Sequence, residues 1–223
     1  LETTEPVDTD ANELEKMTTE EMEAFAPKTE GRARWRLWGD KTPDKQHHFL
    51  IEVAEGKITL EEFMAQLSDE QLTELLGGQP NTGVANTFGF GNLPDYGVPN
   101  IMTADGPAGL RINPECGVCT TAWPCSTLIA CTWNPEVAQK VGAAGGAEVK
   151  ENNIAVWLTP AVNIHRSPLC GRNFEYYSED PYLAGKMASA MVKGIQSNHV
   201  GATVKHFALN NKETNRKNSD SRA

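Results

Sequence analysis

Apolar residues recur at helical spacing in two short segments that begin near residue 58. Each segment starts with a capping box, in which an N-cap hydroxyl and a side chain three residues later satisfy backbone groups that the first turn leaves free. The paired residues are Thr59 with Glu62 and Ser68 with Gln71. The pattern therefore predicts two short amphipathic helices, and the pair Gly77-Gly78 is expected to end the second.

Farther along the chain, short apolar segments alternate with longer segments of helical character. The predicted strands are residues 98–104, 155–158 and 201–207, and the predicted helices run from Asn134 to about Asn152 and from Asp180 to about Asn198. Residues 79–97 are rich in Gly, Asn and Thr, and a loop is expected there. Strands separated by helices of this length form a parallel sheet. The predicted fold class is therefore α/β.

Each predicted strand is followed by residues that can bind or ionise. Asp105 follows the first strand, Asn163, Arg166 and Arg172 follow the second, and Lys205 and His206 lie at the end of the third. The carboxyl ends of parallel strands share one edge of the sheet, where α/β proteins place their sites. A carboxylate accepts hydrogen bonds from neighbouring hydroxyls, while Arg and Lys donate to others. The pattern predicts a site for a polyhydroxylated ligand such as a sugar.

Composition excludes several classes of partner. The 223 residues include 30 acidic and 20 basic side chains, a net charge of −10, which disfavours binding to nucleic acid. No apolar run approaches the roughly 18 residues of a membrane helix. The five cysteines are an odd number in a chain too large to be a disulfide scaffold, so we expect reduced thiols and a cytoplasmic location. Because Cys116 and Cys119 have no second ligand pair, we expect no metal or other cofactor.

Four segments of the chain carry a recognisable family pattern. They are residues 104–111, 128–134, 204–207 and the long segment 158–181, LTPAVNIHRSPLCGRNFEYYSEDP. Together they resemble the amino-terminal catalytic domain of glycoside hydrolase family 3, β-glucosidase type. The resemblance implies that residues 58–223 form the first part of a (β/α)8-like TIM barrel, about three of its eight strands. It also implies retaining hydrolysis that releases a β-linked sugar from the non-reducing end of an oligosaccharide or aryl glycoside.

The same resemblance implies roles for individual residues. Those expected to bind the sugar next to the cleaved bond are Asp105, Arg172, Lys205 and His206, with Arg111 and Glu175 as possible supporting residues. The sugar itself stays open among glucose, xylose, galactose and N-acetylhexosamine, although the segments Lys-His-Phe and Gly-Arg-Asn-Phe-Glu are closer to the glucosidase and xylosidase branch. Adjacent residues of a regular strand face opposite ways, and the resemblance implies a non-proline cis peptide between Lys205 and His206.

Two residues of the long segment have alternative interpretations. Glu175 is a carboxylate three residues after Arg172, so it could take part in catalysis, but we favour an ion pair with Arg172 or Lys205. His165 could act as a base, but a structural role in binding backbone groups is favoured.

The family's two catalytic carboxyl groups have no counterpart in this sequence. Its nucleophile lies in a Ser-Asp-Trp-like segment, whereas Asp220 has no Trp after it, and its acid/base group comes from a more distal region. We therefore expect a piece of a longer enzyme, whose partner is the remainder of the same polypeptide. Residues 1–57, with fourteen acidic and eight basic side chains, are predicted to be a linker or the tail of a preceding domain, as in a bacterial subgroup with inverted domain order. The alternative is a non-catalytic carbohydrate-binding or scaffold pseudo-enzyme.

Overall fold

A computed structural model of the chain describes residues 47–79, 84–218 and 220. Most of the predicted linker, residues 1–46, lies outside the described residues. The described part of the linker contains a short helix, α1 (Leu50–Ala54). Leu50 and Val53 pack against a small apolar core formed by residues beyond position 58. The domain boundary after residue 57 stays a prediction, and α1 shares its core with residues on the far side of that boundary.

The two helices predicted from capping boxes are confirmed as α2 (Leu60–Ala65) and α3 (Asp69–Leu76). In the first box, Thr59 Oγ1 accepts from the backbone N–H of Glu62 at 3.1 Å. The Glu62 carboxylate in turn accepts from the backbone N–H of Thr59 at 2.8 Å. Ser68 begins α3 in the same way. A side-chain N-cap of this kind contributes about 1 kcal/mol to helix stability.

The loop prediction for residues 79–97 is wrong in its second half. This segment contains a strand, β1 (Phe90–Leu93), and a 3-10 helix, Pro94–Tyr96. The chain then turns back at Gly97, whose φ of 72° is readily adopted by a residue without a Cβ atom. This turn lets β2 (Val98–Ile101) pair antiparallel with β1. Gly-rich and Asn-rich composition therefore marked the turns of a hairpin rather than an unstructured loop.

A second sheet contains the parallel strands that the sequence predicts. Its strands, in spatial order, are β3 (Thr103–Ala104), β4 (Val156–Trp157) and β5 (Gly201–Ala202). Both neighbouring pairs are parallel. The strands are shorter than predicted, and the first predicted strand is divided between β2 and β3, which lie in different sheets. The mixed α/β architecture is confirmed.

Helices connect these strands and supply most of the main core. After the short α4 (Ser126–Ala130), the long helices are α5 (Pro135–Glu151) and α6 (Pro181–Gln196). They begin where the sequence predicts, each with proline at its first position and a capping side chain, Asn134 or Asp180, before it. The side chains at the centre of the core include Trp157, Met187, Met191 and Ile195, all at most 1% exposed. No helix in the described part of the chain has the length and apolar character of a membrane span.

Close contact between α5 and α6 depends on glycine. A Cβ atom at Gly194 would lie 2.1 Å from the carbonyl oxygen of Gln139 and 2.7 Å from the backbone nitrogen of Ala143. We expect Gly194→Ala to lower the free energy of unfolding by about 1–3 kcal/mol, because the two backbones must move apart. Gly185 on the same helix has open space at its Cβ position, so Gly185→Ala should be neutral or stabilise by up to about 1 kcal/mol. Denaturant unfolding of both variants measures the difference, and equal stabilities would contradict this account of the packing.

Candidate functional site

The carboxyl ends of the three parallel strands carry the residues that the sequence predicts for the site. Asp105 directly follows β3, Arg172 lies in the long connection after β4, and Lys205 and His206 follow β5. A parallel bridge between Ala161 and Lys205 extends the alignment of the chain beyond β4 and β5. Because the strands are parallel, the segments that carry these residues all leave the sheet at its carboxyl edge.

Asp105 is held between two cations. Lys205 Nζ donates to Asp105 Oδ1, and Arg111 Nη1 donates to Asp105 Oδ2 at 3.2 Å. Lys205 is largely buried, with 12% of its side chain exposed, whereas Arg111 is 64% exposed. The structure therefore brings Asp105 and Lys205 together across 100 residues of sequence, and Arg111 contacts the same carboxylate from the solvent side.

The surroundings of Asp105 keep its carboxylate ionised. Burial raises the pKa of Asp105, but hydrogen bonds from Lys205 and the Gly106 backbone, and the charges of Lys205 and Arg111, lower it more, so the net shift is downward from 3.8. A carboxylate offers about four acceptor positions. The donors from Lys205, Arg111 and the Gly106 backbone do not fill all of these positions, so the carboxylate can still accept from a ligand hydroxyl.

Arg172 is the centre of a second group of contacts. Its Nε donates to Glu175 Oε1, its Nη2 donates to His206 Nε2 at 2.8 Å, and its Nη1 lies 3.7 Å from Glu213 Oε1. Glu175 is buried, with 5% of the residue exposed. The predicted ion pair of Glu175 is confirmed, with Arg172 as its partner. Burial lowers the pKa of Arg172, but the hydrogen bond and charge of Glu175 raise it more.

The contact with Arg172 defines the protonation of His206. A guanidinium can only donate hydrogen bonds, so His206 Nε2 must accept at 2.8 Å and the imidazole must be neutral. Its proton then lies on Nδ1, which is 3.2 Å from Tyr176 Oη and 3.4 Å from Asn163 Oδ1. Burial lowers the pKa of His206 from 6.5, and the charges of Arg172 and Lys205 lower it further. The neutral form is therefore the stable one near neutral pH.

The Lys205–His206 peptide bond is cis, which confirms the prediction from the family pattern. The Phe207–Ala208 bond is also cis. The side chain of Lys205 reaches Asp105, and that of His206 reaches Arg172 and Tyr176. These two neighbouring residues thus join the Asp105 contacts to the Arg172 contacts, and the candidate site is one connected network.

His165 supports the segment that carries Arg172. Its Nε2 lies 2.8 Å from the carbonyl oxygen of Asn173 and 3.1 Å from that of Tyr176, so it must donate to them. The Thr127 hydroxyl lies 2.9 Å and 2.8 Å from the same two oxygens. The structural interpretation of His165 is confirmed, because its ring nitrogen is engaged with backbone groups. Two donors thus hold the 3-10 helix Asn173–Glu175 in place.

Two residues of the network were missed from the sequence. Tyr176 is fully buried, accepts from Asn210 Nδ2 at 2.9 Å and lies against His206; its place in the long family segment was the available signal. Glu213 binds Arg172 from the chain beyond β5, and no motif in the sequence marks it. Its position depends on the path of residues 207–213, which local patterns do not predict.

The network offers both donors and acceptors to a ligand. Lys205 has three N–H groups and donates one to Asp105, while Arg172 has five and uses two in its shortest contacts. Asp105 supplies an anionic acceptor beside these cations. Within residues 47–79, 84–218 and 220, no three His, Cys, Asp or Glu side chains are grouped to hold a metal ion. Hydrogen bonding to neighbouring hydroxyls is the chemistry for which this set is best suited.

Comparison with known proteins identifies relatives of the chain. Residues 92–219 match the model of the glycosyl hydrolase family 3 N terminal domain. Beta-glucosidase A of Butyrivibrio fibrisolvens is 63% identical over the whole chain, which covers 27% of that relative. A beta-glucosidase of Ruminococcus albus is 42% identical over 77% of the chain, which covers 19% of that relative. The chain thus spans about a quarter or less of the length of these relatives.

Solved structures agree with these sequence matches. The structure of a beta-glucosidase from Paenibacillus barengoltzii has a TM-score of 0.71 and 42% identity, over 75% of this chain and 19% of that one. Beta-glucosidase 3B from Thermotoga neapolitana, solved in complex with glucose, has a TM-score of 0.63 and 46% identity, over 70% of this chain and 24% of that one. The family match covers more than half of the chain and includes every residue of the network. The chain therefore belongs to glycosyl hydrolase family 3, as part of its N-terminal domain.

Proposed function

We propose that the chain is part of a retaining, exo-acting β-glucosidase, which releases a β-linked sugar from the non-reducing end of an oligosaccharide or aryl glycoside. The observation that carries this proposal is the connected network of Asp105, Lys205, His206 and Arg172 at the carboxyl edge of a parallel sheet. In this proposal these four residues bind the sugar next to the cleaved bond. Arg111 and Glu175 support them by pairing with Asp105 and Arg172.

We also propose an architecture for the longer polypeptide. Residues 58–223 form the first part of a (β/α)8-like barrel, and β3, β4 and β5 are its first strands. Residues 1–57 are a linker or the tail of a preceding domain. The match covers only 27% and 19% of two relatives, which supports the part of this proposal that concerns a longer polypeptide. We call the longer polypeptide the full-length protein.

The residues of this chain act by orientation. In retaining hydrolysis one carboxylate attacks the anomeric carbon while a carboxylic acid protonates the leaving oxygen, and water then hydrolyses the glycosyl-enzyme intermediate. In our proposal the remainder of the full-length protein supplies both groups. Asp105 accepts from sugar hydroxyls, and Lys205 and Arg172 donate to them. These charge-assisted hydrogen bonds fix the ring, and those that shorten as it distorts stabilise the transition state more than the ground state.

Hydrolysis by the full-length protein tests the proposal. We expect it to release 4-nitrophenol from 4-nitrophenyl β-D-glucopyranoside and glucose from cellobiose. Proton NMR should show the β-anomer of glucose as the first product, because a retaining enzyme inverts the anomeric carbon twice. First release of the α-anomer would contradict the retaining mechanism. Glucose binding without hydrolysis of any β-glycoside would favour the carbohydrate-binding alternative.

The pKa of His206 leads to a prediction for the pH dependence of binding. Above its lowered pKa the imidazole is neutral and accepts from Arg172; below it, a proton on Nε2 would face the guanidinium at 2.8 Å. Glucose binding should therefore weaken as the pH falls through this pKa. Asp105, whose pKa lies below 3.8, stays ionised over the tested range.

Calorimetric titration of the full-length protein with glucose between about pH 4.5 and 7.5 measures this dependence. His206→Gln cannot take up the proton, so the dissociation constant of this variant should be nearly constant over the same range. Equal pH dependence in the wild type and in His206→Gln would assign the effect to another group.

A further inference from the structure

A single buried amide holds the backbone of His206 on both sides. Asn163 Oδ1 accepts from the backbone N–H of His206 at 2.8 Å, and Asn163 Nδ2 donates to the carbonyl oxygen of His206 at 3.1 Å. The same Oδ1 lies 3.4 Å from His206 Nδ1. Asn163 is 8% exposed, so these contacts are largely shielded from competing water.

We propose that Asn163 is a positioning residue of the sugar site, which fixes both the location of His206 and the ring nitrogen that carries its proton. This inference rests on the proposed function, since it concerns how the site is kept ready to bind. Within the part of the chain that the structure describes, the hydrogen bonds of the Asn163 side chain go to His206, so its influence on the network passes through His206.

The protonation pattern follows from the direction of each hydrogen bond. Asn163 Oδ1 is an acceptor for the backbone N–H of His206, because the amide NH2 is committed to the carbonyl. The same oxygen faces Nδ1 and favours a proton there. His206 Nε2 then keeps its lone pair for Arg172 Nη2. The amide thus has one orientation that satisfies both backbone groups, and this orientation also selects the tautomer that Arg172 requires.

Several other groups act on His206 and define the electrostatic balance. The charged or titratable groups that face it are Arg172, Lys205, Glu175, Arg216 and the hydroxyl of Tyr176. Burial and the three cations favour the neutral ring, and Glu175 alone opposes them. A carboxylate in place of the Asn163 amide would put an anion next to Nδ1, in addition to the more distant charge of Glu175, and favour the imidazolium. Asn163→Asp should therefore raise the pKa of His206, so that the imidazolium that repels Arg172 forms at a higher pH than in the wild type.

The test compares Asn163→Ala and Asn163→Asp in the full-length protein with the wild type. We expect kcat/KM for 4-nitrophenyl β-D-glucopyranoside to fall at least about tenfold in Asn163→Ala, because His206 is no longer held in place. The dissociation constant of glucose should rise in the same variant. In Asn163→Asp, the pH at which glucose binding is half lost should move upward by about one unit or more.

Asn198 provides a matched structural control. Its Nδ2 donates to the carbonyl oxygens of Ala143 at 2.9 Å and Gly194 at 3.4 Å, away from the network. Asn198→Ala should lower the melting temperature while kcat/KM stays within about twofold of the wild type. The proposal is overturned if Asn163→Ala stays within about twofold of the wild type, if Asn163→Asp leaves the pH midpoint unchanged, or if Asn198→Ala loses as much activity as Asn163→Ala.

Failure of the proposed function is recognised separately. If the wild type hydrolyses no β-glycoside but binds glucose, the hydrolase proposal fails, and the glucose dissociation constants alone decide the role of Asn163. If the wild type binds no glucose, the positioning role is overturned together with the sugar site on which it rests.

Discussion

Residues 1–223 expressed alone should leave 4-nitrophenyl β-D-glucopyranoside unhydrolysed, whereas the full-length protein should hydrolyse it. The physical reason is that the carboxylates of the described network are already committed. Asp105 pairs with Lys205 and Arg111, and Glu175 and Glu213 both pair with Arg172. Retaining hydrolysis needs two carboxyl groups about 5 Å apart across the glycosidic bond, and hydroxyl-binding residues alone do not supply them.

Complementation makes this result decisive. Inactivity of residues 1–223 could also reflect poor folding, so the remainder of the full-length protein should be expressed separately and mixed with them. Recovery of hydrolysis only in the mixture is the expected outcome. If residues 1–223 alone hydrolyse the substrate and Glu175→Gln abolishes this activity, a catalytic carboxylate lies in this chain. That result would contradict the proposal that the remainder of the full-length protein supplies both catalytic groups.

Loss of Asp105 should have the largest effect of any single substitution in the chain. In the full-length protein, Asp105→Ala should lower kcat/KM for the aryl glucoside at least about 100-fold, which corresponds to about 3 kcal/mol of transition-state stabilisation. The variant loses hydrogen bonds to sugar hydroxyls and leaves the largely buried Lys205 without its carboxylate partner. Asp105→Asn should also lose most of this activity, because the amide keeps the shape but not the charge.

Asp69 is the control for removal of a carboxylate. It lies in the first turn of α3, which precedes all residues of the network in the sequence. Asp69→Asn should therefore change kcat/KM less than about twofold. Steady-state kinetics of the three variants with the wild type give the comparison. A full-length enzyme whose kcat/KM is unaffected by Asp105→Ala would separate Asp105 from sugar binding altogether.

Local sequence signals predicted the helices well. Capping residues at Thr59, Ser68, Asn134 and Asp180 marked the first turns of α2, α3, α5 and α6, because an N-cap acts on backbone groups within three residues of itself. The strands were harder to predict, because only two residues of each strand of the parallel sheet meet the ladder geometry. The hairpin of β1 and β2 was missed because its Gly and Asn residues also occur in loops.

Residues of the candidate site could be predicted when they lie just after a predicted strand or within a segment of the family pattern. Asp105, Arg172, Lys205 and His206 all met one of these conditions, and the structure joins them in one network. Glu213 met neither condition. The orientation of the Asn163 amide and the tautomer of His206 depend on hydrogen bonds between segments 43 residues apart, and a local sequence pattern does not specify such long-range contacts.

The most direct measurement is a crystal structure of the full-length protein with bound glucose. We expect a pyranose ring whose hydroxyls lie within about 3 Å of the Asp105 carboxylate, of Lys205 Nζ and of the Arg172 guanidinium, with His206 in contact with the ring. A bound glucose with none of its hydroxyls on Asp105, Lys205 or Arg172 would contradict the assignment of this network as the sugar site.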